Sequence, residues 1–215
     1  MYQAAIFDLD GTLLNTIDDL ANAGNAVCQQ NGWPTHTVEA YKRFVGNGIP
    51  KLVERFSPPD QRTPARMAQT LEQFRAYYAV HKEDCTLPYD GILPLLDALR
   101  KKGIPLGVLT NKEDRFAKEI VHRYFGTDAF CKIQGATEQF PPKPNPAALL
   151  HLCESEPFAG KRILFLGDSD VDIHTAANAK LDSCGVLWGF RGEAELTAAG
   201  ATYLARHPSE LAELF

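Results

Sequence analysis

Short apolar runs alternate with helix-like segments along most of the chain. Between most of the runs, apolar residues recur at the three- and four-residue spacing of an amphipathic helix. Strands that alternate with helices in this way form a parallel sheet covered by helices on both faces. The pattern therefore predicts an α/β fold with a doubly wound, mostly parallel sheet, whose strands lie at residues 4–9, 105–109, 131–133, 163–166, 183–187 and 202–204.

The alternation stops between residues 16 and 85, where helix signals occur without a convincing strand. Thr16, with Asp19 three residues later, predicts a capping box at the start of a helix. We therefore expect an α/β core formed by residues 1–15 and 86–215, with an inserted all-helical domain at 16–85. Two sets of residues at helical spacing support the insert: Ile17, Leu20, Gly24 and Val27, and Met67, Leu71, Phe74 and Tyr78.

Composition narrows the class of protein. The chain has 215 residues, of which 45% are hydrophobic, enough for one substantial core and a small second domain. A net charge of -5 argues against a nucleic-acid partner. No apolar run reaches the roughly 20 residues that span a bilayer, so we expect no membrane partner and a cytoplasmic location. The 5 cysteines show no metal-binding spacing, which predicts reduced thiols.

The first strand ends in two carboxylates, Asp8 and Asp10. Side chains two residues apart in an extended segment project to the same side, so these carboxylates lie together. At about 4 Å and an effective dielectric near 20, they repel by roughly 4 kcal/mol, so the pair is expected to share a proton or hold a cation. Gly11 then allows a sharp turn close to a ligand.

Three later segments also carry polar residues in loops or at strand ends. Thr110-Asn111-Lys112 follows the second strand, Lys143 lies in a proline-rich turn, and the segment from Gly167 to Asp172 follows the fourth strand. Ligands of open α/β sheets bind outside the carboxyl ends of the strands. We therefore expect these residues to meet Asp8 and Asp10 in one crevice.

Together the four segments match a known set of motifs: DxDGT, a strand-terminal Thr, a Lys and GDxxxD, in that order. The chain resembles the haloacid dehalogenase (HAD) superfamily of phosphohydrolases, and within it the phosphoglycolate phosphatase group. The resemblance implies a HAD-type Rossmann-like core with a helical cap domain that moves over the site. Two residues depart from the family pattern: Asn15 stands where many relatives have Asp, and Lys180 replaces a turn glycine.

The chemistry that the resemblance implies is phosphate ester hydrolysis. Asp8 is the candidate nucleophile, because an ionised carboxylate attacks without a base and forms an aspartyl-phosphate. Asp10 is the candidate general acid for the leaving alkoxide, and then general base for water. Mg²⁺ is the expected cofactor, held by Asp8, Asp168 and the backbone carbonyl of Asp10, since oxygen ligands suit a hard cation.

The other motif residues receive supporting roles. Lys143 supplies a positive charge at the phosphate, while the Thr110 hydroxyl and the Asn111 backbone are expected to bind phosphate oxygens. Asp172 is expected to orient Lys143 or metal-bound water. Asp170 is expected to be peripheral.

Substrate specificity is expected to come from the inserted domain. Its loop Gly46-Asn47-Gly48 leans onto the leaving group in resembling proteins, and Arg43 and Lys51 flank it as candidate cations for an anionic leaving group. On the core side, Arg191 is a further candidate, whereas Trp188 is expected to pack.

The sequence therefore predicts a Mg²⁺-dependent phosphatase that acts on a small phosphorylated metabolite such as phosphoglycolate, as a monomer or homodimer. Asp10 argues against a dehalogenase, whose leaving halide needs no proton, and against a phosphonatase. A sugar phosphomutase of the same superfamily remains an alternative, as does a phospho-accepting signalling module.

Overall fold

The computed structural model describes residues 1–215, and its centre is a six-stranded sheet whose neighbouring strands are all parallel. In chain order the strands are β1 (Ala4–Phe7), β2 (Leu14–Asn15), β3 (Leu87–Pro88), β4 (Leu106–Glu113), β5 (Lys132–Ala136), β6 (Ile163–Gly167), β7 (Asp182–Val186) and β8 (Tyr203–Ala205). The sheet order is β5–β4–β1–β6–β7–β8. All six predicted strands are present in this sheet, so the predicted α/β class is confirmed.

Nine α-helices accompany the strands: α1 (Ile17–Gln30), α2 (Val38–Phe44), α3 (Ile49–Phe56), α4 (Pro64–His81), α5 (Ile92–Lys101), α6 (Asp114–Phe125), α7 (Ala147–Glu154), α8 (Asp170–Asn178) and α9 (Glu193–Ala198). Two short 3₁₀ helices occupy Pro59–Gln61 and Pro208–Leu214.

Strand β1 shows why the sheet is covered on both faces. Ala5 and Phe7 pack into the core that contains the buried residues of α5 and α6, whereas Ala4 and Ile6 pack into the core that contains those of α7. The strand period of two thus sends alternate side chains into opposite cores. A strand that is apolar on both sides must lie in the centre of the sheet, which places its carboxyl end in the middle of the edge where ligands bind.

Helices α1 to α4 share a hydrophobic core, to which the rest of the chain adds Phe116 of α6 and the partly buried Phe190. Both sets of residues predicted at helical spacing contribute to it, with Phe74 and Tyr78 fully buried. Where the chain leaves and re-enters the sheet region, Leu14 pairs with Pro88 and Asn15 with Leu87 in an antiparallel ladder that the sequence did not predict. We call residues 16–85 the helical insert; its behaviour as a separate domain stays a prediction.

The predicted capping box at Thr16 is wrong. Thr16 makes no side-chain cap bond to α1, and its hydroxyl donates instead to Asp10 Oδ1 at 2.7 Å. Asp19 accepts hydrogen bonds from the backbone N–H groups of Cys85 and Thr86 at 2.9 and 2.8 Å, and from the Thr86 hydroxyl at 2.7 Å. Asp19 therefore connects the two chain crossings, while Thr16 binds the turn after β1, because these partners outcompete the local cap.

Lys180 adopts the backbone conformation of the glycine that it replaces. Its φ is 58°, in the left-handed region, and the turn after α8 is retained. This backbone conformation is higher in energy for lysine than for glycine. The replacement of glycine by Lys180 therefore keeps the turn but strains its backbone.

The state of the cysteines and the lengths of the helices bear on two expectations from composition. All five cysteines are free, as predicted, although Cys85 and Cys131 are exposed and only Cys28 and Cys184 are fully buried. None of the helices is both long enough and apolar enough to pass through a bilayer.

Candidate active site

A cavity opens at the carboxyl ends of three adjacent strands, β4, β1 and β6. The four sequence segments with polar motifs all reach it. All seven residues predicted to act in catalysis, phosphate binding or metal binding, or to orient them, line the cavity: Asp8, Asp10, Thr110, Asn111, Lys143, Asp168 and Asp172. The side chains of the helical insert close the opposite wall.

Lys143 uses all of its hydrogen-bond donors within this cavity. Its ammonium group donates to Asp8 Oδ1 at 2.7 Å, to Asp172 Oδ1 at 2.6 Å and to the Leu109 carbonyl at 3.1 Å. Burial lowers the pKa of Lys143, but Asp172 and Asp8 outweigh burial and raise this pKa above its usual value. Lys143 is therefore a permanent cation, and its three donors are all used.

The carboxylates around Lys143 outnumber its single positive charge. Carboxylate oxygens of Asp8, Asp168 and Asp172 lie within 4.8 Å of one another, and all three residues are buried. Burial raises the pKa of Asp8 to about 7, although Lys143 opposes this shift. Burial also raises the pKa of Asp168 well above its usual value, with Asp172 and Asp8 adding to the shift. Three acids facing one ammonium leave negative charge that the protein does not neutralise.

The backbone packs tightly against Asp168. The Phe190 N–H donates to Asp168 Oδ2 at 2.7 Å. Gly11 has a φ of +89°, and a side chain there would place its Cβ 2.2 Å from the same oxygen. The turn after β1 therefore needs glycine both for its conformation and for space. Asp168 is held by one oxygen, and its Oδ1 accepts no hydrogen bond from the protein.

Asp172 is fixed by the start of α8. Both the backbone N–H and the hydroxyl of Ser169 donate to Asp172 Oδ2, at 3.2 and 2.6 Å, which forms a capping box. The other oxygen, Oδ1, accepts from Lys143. The helix thus orients Asp172 toward Lys143, the partner expected from the sequence.

Asp10 has two partners that the sequence analysis did not identify. Its Oδ1 accepts from the Thr16 hydroxyl and lies 3.0 Å from the ammonium group of Lys112. Lys112 is buried and also donates to the Tyr78 hydroxyl at 2.7 Å. The strand period could have revealed Lys112, because β4 continues to Glu113 and places residues 110 and 112 on one face.

Asn111 joins separate segments at the cavity, whereas the bond of Thr110 is local. The backbone N–H of Lys112 donates to the Thr110 hydroxyl at 3.2 Å. The Asn111 amide group donates to the Gly46 and Lys143 carbonyls at 3.0 and 3.1 Å, and its oxygen accepts from the Lys143 N–H at 2.8 Å. The Asn111 side chain therefore binds other parts of the protein, and its backbone is the part that remains to bind a ligand.

The loop of the helical insert reaches the cavity through Gly46 and Gly48. Asn47 does not line this cavity, and its side-chain oxygen accepts from Arg55 at 2.8 Å. Arg191 does line it, and donates across to the carbonyls of Lys42 and Val45, the latter at 2.9 Å. Arg191 therefore links the core to this loop.

The structure places the two flanking cations of the loop elsewhere. Arg43 is exposed and does not line the cavity. Lys51 is exposed too, and pairs with Glu54 at 2.8 Å on the surface. Asp170 also lies outside the cavity lining, and the Trp188 indole N–H donates to the Thr12 carbonyl at 2.9 Å.

Comparisons with known proteins agree with this geometry. Residues 5–186 match the family model described as haloacid dehalogenase-like hydrolase. A phosphoglycolate phosphatase of Vibrio parahaemolyticus is 31% identical over 97% of this chain and 93% of its own length. One from Chromobacterium violaceum is 32% identical over 99% of this chain and 96% of its own.

A solved structure is similar over the whole fold. The crystal structure of a predicted phosphoglycolate phosphatase from Haemophilus somnus superposes with a TM-score of 0.91, at 26% identity, and covers 99% of this chain and 97% of that one. The chain therefore belongs to the haloacid dehalogenase-like hydrolase family, as a phosphoric monoester hydrolase similar to phosphoglycolate phosphatases over nearly its full length.

Proposed function

We propose that this protein hydrolyses a small phosphate monoester, such as phosphoglycolate, through an aspartyl-phosphate on Asp8 and with Mg²⁺ as cofactor. The observation that carries the proposal is the environment of Asp8. One of its oxygens is held by Lys143 at 2.7 Å, while the other accepts no hydrogen bond from the protein and belongs to a residue that lines the cavity. A carboxylate fixed by one oxygen can aim the other at phosphorus.

Two chemical steps follow from this arrangement. Asp8 attacks phosphorus, the bond from phosphorus to the leaving oxygen breaks, and Asp10 gives its proton to the departing alkoxide. Water then attacks the phosphorus of the aspartyl-phosphate and gives a proton to Asp10. The bond from phosphorus to Asp8 breaks, phosphate leaves, and both carboxyl groups return to their starting state.

The excess of carboxylates fits a divalent cation. Asp168 has an oxygen without a protein partner. Asp8 Oδ1 accepts from Lys143 and keeps a second lone pair for a cation, so Oδ2 stays free for phosphorus. The pKa values of both residues are raised, mainly by burial and further by neighbouring carboxylates. These residues, with the Asp10 backbone carbonyl, would hold Mg²⁺, which supplies positive charge to the transferring phosphoryl group. Asp172 already accepts hydrogen bonds from Lys143 on one oxygen and from Ser169 on the other.

We expect Mg²⁺ to raise the melting temperature more at pH 8 than at pH 5.5. In the metal-free fold the pKa of Asp8 is about 7, above its ordinary 3.8, so the folded state binds the proton more tightly than the unfolded chain does. Stability is therefore lost as pH rises from 3.8 through 7. Mg²⁺ relieves this penalty, and the gain should be roughly 5 °C larger at pH 8.

Thermal unfolding in EDTA and in saturating Mg²⁺, at both pH values, measures this difference. Asp168→Asn is the control variant, since it removes one proposed ligand and should lose most of the gain. A gain that is equal at the two pH values would contradict the proposal.

The substrate class can be tested by turnover on a panel of phosphorylated metabolites. We expect kcat/KM for 2-phosphoglycolate to exceed that for sugar phosphates and nucleoside monophosphates by about 10-fold or more, because the cavity side of the insert is mostly apolar. Isomerised sugar phosphate without phosphate release would instead identify a phosphomutase. A stable phosphoprotein without turnover would identify a signalling module.

We also propose that the helical insert acts as a cap that opens over the site. Its largely separate hydrophobic core supports this. Polar links to the core, such as Arg75 to Glu113 at 2.7 Å and Asn111 to Gly46, would have to break as the cap opens. The cytoplasmic location and the monomeric or dimeric state stay predictions.

A further inference from the structure

Three cationic side chains line the cavity: Lys112, Lys143 and Arg191. Lys143 has used its three donors on Asp8, Asp172 and the Leu109 carbonyl. Arg191 uses three of its five N–H donors, one from each nitrogen, on the Lys42 and Val45 carbonyls and on Glu195 at 3.0 Å. Both side chains are thus engaged with the protein before any ligand enters.

Lys112 differs from Lys143 and Arg191 in its contact with Asp10, and it too has a donor left. An ammonium group has three N–H donors, and the protein accepts only two of them, through Asp10 Oδ1 at 3.0 Å and the Tyr78 hydroxyl at 2.7 Å. The Lys112 side chain is only 2% exposed. A buried donor without an acceptor is unfavourable, so a ligand that supplies an acceptor gains affinity there.

The position of Lys112 identifies the part of the substrate that it can reach. Lys143 holds Asp8, where the phosphoryl group is transferred, whereas Lys112 holds Asp10, which gives the proton to the leaving oxygen. With Asp10 as the proton donor, the Lys112 ammonium would lie beside the leaving alcohol. A group on the carbon next to the ester oxygen is within reach of the same ammonium.

The surroundings of Lys112 favour a charged group at that point. The wall contributed by the helical insert is lined by Leu20, Val45, Ile49 and Leu52, and the core adds Phe190. A sugar would leave several hydroxyl groups without partners against these side chains. A short leaving alcohol with one carboxylate needs one cation and little else.

We propose that Lys112 binds the carboxylate of the leaving alcohol and thereby selects phosphate monoesters of small 2-hydroxy acids. The inference rests on the proposed phosphatase activity and extends it to a specificity residue. Lys112 holds Asp10 on one side and the substrate carboxylate on the other, so it places the proton donor beside the correct leaving group.

The test compares 2-phosphoglycolate with its uncharged amide, 2-phosphoglycolamide, which has nearly the same shape. We expect wild-type kcat/KM to favour the acid, and Lys112→Met to lower this acid-to-amide ratio by about 10- to 100-fold. Any effect on Asp10 is common to both substrates and cancels in the ratio. Arg191→Met is the matched comparison, and should leave the ratio within about 3-fold of wild type.

Several results would overturn the proposal. Lys112→Met could slow both substrates equally, which would make Lys112 a partner of Asp10 alone. The ratio could instead change in Arg191→Met, which would assign the carboxylate to Arg191. A wild-type ratio near one overturns the proposal without any variant, and so covers the case in which Lys112→Met does not fold.

Binding separates this inference from the proposed activity. Calorimetry with Asp8→Asn measures the affinity for the acid and the amide without turnover, and we expect the acid to bind more tightly only while Lys112 is present. If wild-type protein releases no phosphate from either ester yet binds the acid in this way, the proposed hydrolysis fails while the role of Lys112 stands. Equal affinities overturn the role of Lys112.

Discussion

Replacing Asp8 by asparagine is expected to reduce kcat by about 10⁴-fold or more while the protein stays folded. An amide has no anionic oxygen with which to attack phosphorus, so the aspartyl-phosphate cannot form. The shape of the side chain is kept, and the asparagine oxygen can still accept from Lys143. Removing a buried negative charge beside Asp168 and Asp172 also relieves repulsion, so the metal-free variant should melt no earlier than wild type at pH 8.

Phosphate release, acid-quench labelling of the protein and thermal unfolding measure these effects. Asp97→Asn is the matched control, since Asp97 is an exposed residue of α5 that pairs with Lys101 at 2.6 Å. It should keep wild-type kcat and wild-type labelling. Activity of Asp8→Asn within about 10-fold of wild type, in a folded sample, would exclude Asp8 as the nucleophile.

Replacing Lys143 by methionine is expected to have two large effects. The loss of the cation beside the phosphoryl group should lower kcat by about 10³-fold. Asp8 and Asp172 are then left buried without their ammonium partner, beside a third carboxylate, which should lower the free energy of unfolding by about 3 kcal/mol in metal-free buffer at pH 8. Few other substitutions in the chain remove two buried ion pairs at once.

The stability loss in Lys143→Met should shrink as pH falls. The pKa of Asp8 is already about 7 with Lys143 present, and removing the cation raises it further. At pH 5.5 the folded variant therefore keeps protons on its carboxyl groups, which avoids the repulsion, whereas at pH 8 it must ionise them. Urea unfolding at both pH values measures the difference.

Lys118→Met serves as the control for Lys143→Met. Lys118 pairs with Asp114 across one turn of α6, and its side chain is 49% exposed. Such a pair contributes little, so this variant should differ from wild type by less than about 0.5 kcal/mol at either pH. If Lys143→Met were equally mild and independent of pH, the buried charge cluster would not behave as described.

The sequence predicted most of the sheet and the convergence of its motifs. A strand was predicted at residues 4–9, which are apolar up to residue 7, and β1 occupies Ala4–Phe7 in the middle of the sheet. Because parallel strands place their carboxyl ends at one edge, Asp8, Thr110 and Asp168 meet there. The convergence follows from strand direction alone and needs no knowledge of side-chain packing.

The sequence analysis was less accurate for residues whose partners are distant in sequence. Asp19 has the spacing of a capping box, yet its carboxylate oxygens accept from the backbone N–H groups of residues 85 and 86. These two residues lie where the chain returns to the core after the insert. Arg43 and Lys51 flank the loop that reaches the cavity, but α2 and α3 are rotated about their axes so that both side chains are exposed to solvent. A short helix is rotated by the packing of its apolar side, which residue spacing near the loop does not reveal.

The sequence by itself determined the sheet, the two carboxylates after β1 and the motif residues at neighbouring strand ends, because strand period and strand direction are local properties of the chain. Only the tertiary structure decided which cation serves which acid. Lys143 comes to Asp8 and Asp172, and Lys112 comes to Asp10 and Tyr78. These pairings depend on how buried side chains from distant segments share one small volume, and burial then makes each unpaired charge costly enough to matter.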